Sequence, residues 1–129
     1  MKTDINKILV AIKKLSTDDL NELLKKLNYN EENIDFNTKK GIRYWLDKME
    51  IENYNINADL TVDVDGNVDI SYNDLTEIPI KFGIVEWDFN CDDNNLTSLK
   101  GAPEECRHFY CDNNDLTHEY LSNFDFSFV

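Results

Sequence analysis

Three ten-residue segments of the chain align without gaps: Asn67–Thr76 (NVDISYNDLT), Asp88–Thr97 (DFNCDDNNLT) and His108–Thr117 (HFYCDNNDLT), at offsets of 21 and 20 residues. Apolar residues recur at Val68, Phe89 and Phe109 and again at Ile70, Cys91 and Cys111. Asn follows at Asn73, Asn94 and Asn114, and Leu-Thr closes each unit at Leu75, Leu96 and Leu116. Self-similarity at such a short period restricts the fold severely. One unit cannot bury its own apolar side, so successive units must stack and bury it against each other. Apolar residues two apart at the head of each unit predict one short strand per unit, laid parallel to its predecessor about 4.8 Å away. An Asn amide carries two donors and an acceptor, enough to bond the backbone groups left unpaired where the chain turns inward.

The pattern apolar-x-apolar-x-x-Asn-x-Leu resembles the leucine-rich repeat. The tails Leu75-Thr-Glu-Ile-Pro79 and Leu96-Thr-Ser-Leu-Lys-Gly-Ala-Pro103 are similar to the short repeats of bacterial effectors, and more so to those of small proteins of large tailed phages and gut bacteria. The resemblance spans residues 60–117 and departs from the pattern at its end, where Thr117-His-Glu-Tyr-Leu121 lacks Gly-x-Pro. It implies a solenoid of about three parallel strands. It also implies a phage- or mobile-element-type inhibitor of a host protein, acting in counter-defence or regulation within the host cytoplasm.

Ahead of the repeats the periodicity is helical. Ile5, Ile8, Leu9, Ile12 and Leu15 form one stripe, and Leu20, Leu23, Leu24 and Leu27 a second. Ser16 is placed to cap the second helix, with Asp18 and Asp19 in its first turn, where the dipole favours anions. Asn37 or Thr38 can cap a third helix bearing Ile42, Trp45, Leu46 and Met49, and Gly41 counts against it. The expected class is α+β: a helical cap region over 1–58 and a repeat region with a terminal strand over 59–129, joined as one unit.

Both ends of a short strand stack need covers, because open edges recruit other strands. At the front, Val62-Asp-Val-Asp-Gly-Asn-Val-Asp-Ile70 predicts a β-hairpin, with Val64 opposite Val68 and Val62 opposite Ile70 across Asp65-Gly66-Asn67. Read instead as a calcium loop from Asp63, it has Val68 where Gly belongs and Asp74 where Glu belongs. At the back, Phe124, Phe126 and Phe128 alternate and predict a capping strand.

Charge and chemistry narrow the function classes. Residues 1–50 carry ten Lys/Arg and nine Asp/Glu; residues 51–129 carry three against seventeen, so a net charge of -13 divides as +1 and -14. Such a field repels nucleic acid and phospholipid and draws basic partners. No apolar run reaches the ~20 residues of a membrane helix. Lys13 and Lys14 interrupt the apolar N-terminus and no cleavage site follows, so no signal peptide is expected. An odd set of cysteines, Cys91, Cys106 and Cys111, points to a reducing cytoplasm.

Strand parity turns His108 outward and Cys111 inward, against a zinc site. No His stands on the inner face to activate a thiol, and no phosphate loop is present, so neither an enzyme nor a cofactor is expected. The outward positions form three columns: Asn67, Asp88, His108; Asp69, Asn90, Tyr110; Ser71, Asp92, Asp112. An acidic face with Tyr110 as its aromatic anchor predicts a protein-binding surface for a basic partner. The alternatives are an acidic nucleic-acid mimic that blocks a DNA- or RNA-binding enzyme, and a structural or self-associating repeat protein of undefined oligomeric state.

Overall fold

The computed structural model describes residues 16–19, 22 and 34–129. The two N-terminal stripes lie outside these residues except at the head of the second, where the Ser16 hydroxyl accepts the Asp19 amide at 3.2 Å. The chain divides between Ile34 and Asp35, and the second unit, Asp35–Val129, is mixed α+β. Among the described residues, no helix is long and apolar enough to cross a membrane.

Helix α1 spans Lys39–Lys48. Its N-cap is Thr38, whose hydroxyl accepts the Gly41 amide at 3.1 Å. Ile42, Trp45 and Leu46 form its buried face. Gly41, unfavourable by helix propensity, has a packing reason: a Cβ there would lie 1.9 Å from the Asp35 carbonyl oxygen. The helix ends in a Schellman arrangement. Ile51 N–H donates to Leu46 O, Glu50 N–H donates to Asp47 O, and Glu50 takes the left-handed conformation.

Six short strands follow: β1 (Tyr54–Ile56), β2 (Thr61–Val64), β3 (Val68–Asp69), β4 (Lys81–Val85), β5 (Asp88–Asn90) and β6 (His108–Tyr110). They form two sheets, ordered β1-β2-β4 and β3-β5-β6. In the second sheet all pairs are parallel and in repeat register, Val68 beside Phe89 and Phe89 beside Phe109. In the first, β2 and β4 are parallel, with a bulge between Val62 and Val64.

The hairpin expected at Asp65-Gly66-Asn67 is not formed. β2 pairs instead with β1, Tyr54 opposite Val64 and Ile56 opposite Val62, around a turn at Asn57–Leu60 closed by Asn57 N–H to Thr61 O at 2.8 Å. Asp65–Asn67 turns a corner from the first sheet into the second. A reversal and a corner bury the same Val62, Val64, Val68 and Ile70, so alternation alone does not separate them. The corner recurs at Glu86-Trp87 and Cys106-Arg107, where Arg107 N–H donates to Trp87 O at 2.8 Å.

Each unit therefore contributes two arms. The third first-arm, Gly101–Glu105, bonds along β4 through Phe82 N–H to Gly101 O and Glu104 N–H to Gly83 O. Pro103 removes one donor from this arm. Gly101 is required where it stands: its φ is +96°, and a Cβ would lie 2.5 Å from Ile80 O.

The core lies between the arms. A line of aromatic contacts runs through it from Trp45 to Phe82 (6.5 Å), Phe89 (5.0 Å), Phe109 (5.5 Å) and Phe128 (5.1 Å). Beyond the last repeat, helix α2 (His118–Asn123) is capped by Thr117, whose hydroxyl accepts the Tyr120 amide at 3.0 Å. The capping strand expected at Phe124–Phe128 is likewise absent. The segment folds into a turn, with Val129 N–H to Phe126 O at 3.2 Å, and collects the rings on one another: Phe124 and Phe126 are 4.7 Å apart, and Phe128 lies over Phe109. Apolar contact between rings takes the place of a backbone ladder.

Candidate partner-binding face

The register of β3, β5 and β6 brings the outward residues together. Asp88 lies beside His108, and Asp69, Asn90 and Tyr110 form one row. At the strand ends Tyr72 N–H donates to Asp92 O and Asp93 N–H to Asp112 O, which extends the row through Ser71, Asp92 and Asp112. Asp69, His108, Tyr110 and Asp112 are exposed; Ser71, Asp88, Asn90 and Asp92 are half-buried.

Much of this polar surface also serves the fold. Asp69 Oδ1 accepts the Ser71 amide at 3.0 Å and its hydroxyl at 2.5 Å. Asn90 Oδ1 accepts the Asp92 amide at 2.9 Å, and Asp92 Oδ1 accepts the Asp112 amide at 2.6 Å. Asp88 Oδ1 lies 2.8 Å from His108 Nδ1, and the Asp88 amide donates to Asn67 Oδ1 at 3.0 Å. Among the described residues, each of these carboxylates keeps a second oxygen without a hydrogen bond, while its side chain is fixed in place. The Asp112 carboxylate has no hydrogen bond among the described residues.

Beneath the face, Val68, Ile70, Phe89, Cys91 and Leu96 are fully buried. Leu75, Phe109, Cys111 and Leu116 are half-buried and pack against them. The three Asn residues differ. Asn94 donates to Ile70, Cys91 and Asp92 carbonyls and accepts the Asn73 and Leu75 amides. Asn114 donates to Cys91, Cys111 and Asp112 carbonyls and accepts the Leu96 amide. Asn73 is exposed, and among the described residues its side chain donates only to Ser71 O.

Two exposed aromatic residues escaped the sequence reading. Trp87 is 50% exposed at a corner, with the Arg107 guanidinium 5.1 Å from its ring centroid. Tyr72 is 78% exposed at the end of the face. It occupies the repeat position of Asp93 and Asn113, and all three are left-handed, with φ of 56°, 56° and 55°. Asp and Asn tolerate this conformation, whereas an aromatic residue is strained in it. The misfit was visible in the alignment as a Tyr in an Asp/Asn column. Tyr72→Asn is expected to raise stability by ~0.5–1 kcal/mol, seen as a higher urea midpoint; no gain would mean the strain is relieved elsewhere.

The thiols face inward. Burial pushes the Cys91 pKa up to about 12 and raises those of Cys106 and Cys111. Cys91 also lies 3.1 Å from Tyr110 O, as a donor. At pH 8 the folded chain should leave Cys91 unalkylated by iodoacetamide while the urea-unfolded chain reacts, as peptide mass mapping would read. The folded pKa lies above the unfolded value near 9. The stabilising difference is therefore complete below pH 9 and is lost as pH rises towards 12, at up to ~1.4 kcal/mol per pH unit. Cys91→Ala should flatten that alkaline decline.

Among the described residues, no three His, Cys, Asp or Glu side chains converge as a metal site requires. An open depression is lined by Thr117, Glu119, Tyr120, Asn123 and Phe124. No protein-family model, curated protein or solved structure matches this chain.

Proposed function

We propose that residues 59–129 form a short leucine-rich-repeat coil whose outward strand face docks a basic surface on another protein. In this reading the chain is a non-enzymatic, cytoplasmic interaction module and inhibits its partner by occupying it, as a small phage- or mobile-element-encoded inhibitor of a host factor would. One observation carries the reading: the outward side chains of three adjacent strands stand in register, acidic, and held by bonds to the backbone. Fixed side chains lose little entropy on docking, and Tyr110, on the edge strand, and Tyr72, at the end of the first rung, supply apolar area at two margins of the face.

Exchanging Asp88, Asp92 and Asp112 together for Asn tests this cleanly, because an amide oxygen at position 92 can still accept the Asp112 amide and one at position 88 can still face the His108 ring, while three charges are removed. Affinity capture with the wild type should retain a basic protein that the triple variant loses. Equal capture by both, with equal melting curves, would place the contact elsewhere. The nucleic-acid-mimic reading draws support from the run of carboxylates along the same rows. It differs in outcome: duplex DNA would compete for the captured protein, and binding would vanish by ~0.5 M salt, where screening is strong.

A further inference from the structure

Among the described residues, no strand pairs with the outer edge of the last rung of the second sheet. In the rung before it, Cys91 N–H donates to Tyr110 O and Asp93 N–H to Asp112 O. The equivalent amides of the last rung, Cys111 and Asn113, have no acceptor among the described residues. Burial falls off in the same direction. Phe89, Cys91, Asn94 and Leu96 are buried, while their counterparts Phe109, Cys111, Asn114 and Leu116 are only half-buried. The C-terminal segment closes part of this end, since Cys106 N–H donates to Phe128 O and the Phe126 and Phe128 rings cover Phe109, but among the described residues it makes no backbone hydrogen bond to residues 108–113. Of the eight large hydrophobic residues exposed in the described chain, Tyr110, Leu121, Phe126 and Val129 lie in this rung and the tail after it. The edge is protected only by its shortness and by flanking charges: β6, His108-Phe-Tyr110, contains no Asp, Glu, Lys, Arg or Pro between Arg107 and Cys111.

We propose that a second copy of this chain occupies this edge, pairing β6 with β6 antiparallel about a two-fold axis at Tyr110. Backbone geometry selects the register. Tyr110 turns its carbonyl to β5, so the alternate residues Phe109 and Cys111 turn theirs outward. An antiparallel partner then exchanges bonds between Phe109 of one copy and Cys111 of the other. Tyr110 meets Tyr110 in the closely spaced, non-hydrogen-bonded pair, and His108 stands beside Asp112 on the same face. That last pairing sets an imidazole beside a carboxylate and occurs twice by symmetry. An isologous contact of this kind closes at two copies and uses up the open edge. The two sheets become one six-stranded sheet, β3-β5-β6-β6-β5-β3, with both acidic faces on the same side. The pairing stands whether or not that face docks a partner. With a net charge of -13 on each copy, mutual repulsion opposes the dimer, so added salt strengthens it.

Sedimentation velocity on the full chain, from ~5 to ~500 µM, should show a monomer–dimer equilibrium that tightens as salt is raised. Tyr110→Lys sets two like charges on the axis and should weaken the dimer at least ~10-fold; Asp112→Lys should weaken it ~3-fold or more. Both are exposed positions, and equal melting curves establish that the variants fold. Tyr110→Cys should form an intermolecular disulfide on mild oxidation, beyond the wild-type background, while Tyr44→Cys, equally exposed on α1, should not. A chain that remains monomeric to ~500 µM, open-ended oligomers, or a dimer indifferent to both Lys variants overturns the proposal.

Discussion

Asn94→Ala is expected to destabilise the protein by about 3 kcal/mol or more, whereas the same change at Asn73 should stay within ~0.5 kcal/mol. The two residues share a repeat position and an identity. Asn94 is buried and bonds three carbonyls and two amides spread over two rungs. Its removal leaves Ile70 O and the Leu75 amide without that partner in a dry interior, where each orphaned group costs ~1–3 kcal/mol, while Cys91 O keeps its bond from Asn114. No water-sized space comes with the substitution except the volume of the amide itself, so solvent can repair only part of the loss. Asn73 has no rung before it to serve, and its single bond is made at the surface. Asn114, half-buried with four such bonds, should fall between them. Urea denaturation of the three variants measures the order; equal losses at Asn73 and Asn94 would mean that the amide acts locally and not as a tie between rungs.

Phe89→Ala should have the largest effect of any single truncation, ~3–5 kcal/mol. Phe89 is fully buried and sits at the middle of the aromatic line, 5.0 Å from Phe82 and 5.5 Å from Phe109. Its ring touches both arms of the stack, and short strands held by hydrogen bonds on two sides cannot close around the void. Phe126→Ala provides the contrast. That ring is 38% exposed, so its loss should cost about 1 kcal/mol or less. Differential scanning calorimetry on the pair should separate their midpoints by more than ~10 °C. A small effect at Phe89 would imply that the arms repack, and with it that the two sheets are less tightly coupled than their contacts indicate.

Helix α1 is the most legible element. Its apolar spacing and a cap at Asn37 or Thr38 are local features, and local hydrogen bonds are enough to realise them, with Thr38 as the cap. The parity of the repeat strands was equally legible, because an apolar residue at every second position leaves only one side to bury. Gly41 was read as a weakness of the helix, and its reason lies outside the helix, in the Asp35 carbonyl that packs against it. The face was legible as a list of outward residues. Its other use, the bonds from Asp69, Asn90 and Asp92 to backbone amides, was not, because those depend on how far apart successive rungs lie.

Period and alternation determined which residues face inward, where helix α1 begins, and that three like segments recur at a nearly constant spacing. Those properties depend on a residue's own neighbours in the chain, and solvent acts on them one side chain at a time. The tertiary structure alone decided what each strand pairs with: that Val62–Val64 joins Tyr54–Ile56 and Lys81–Val85 instead of doubling back on Val68–Ile70, and that the terminal phenylalanines stack as rings and not as a strand. Burying an apolar side chain is rewarded almost equally against any apolar neighbour, so hydrophobic pattern is indifferent to partner. Backbone hydrogen bonds are directional and few, and they are assigned only when two particular segments lie alongside each other.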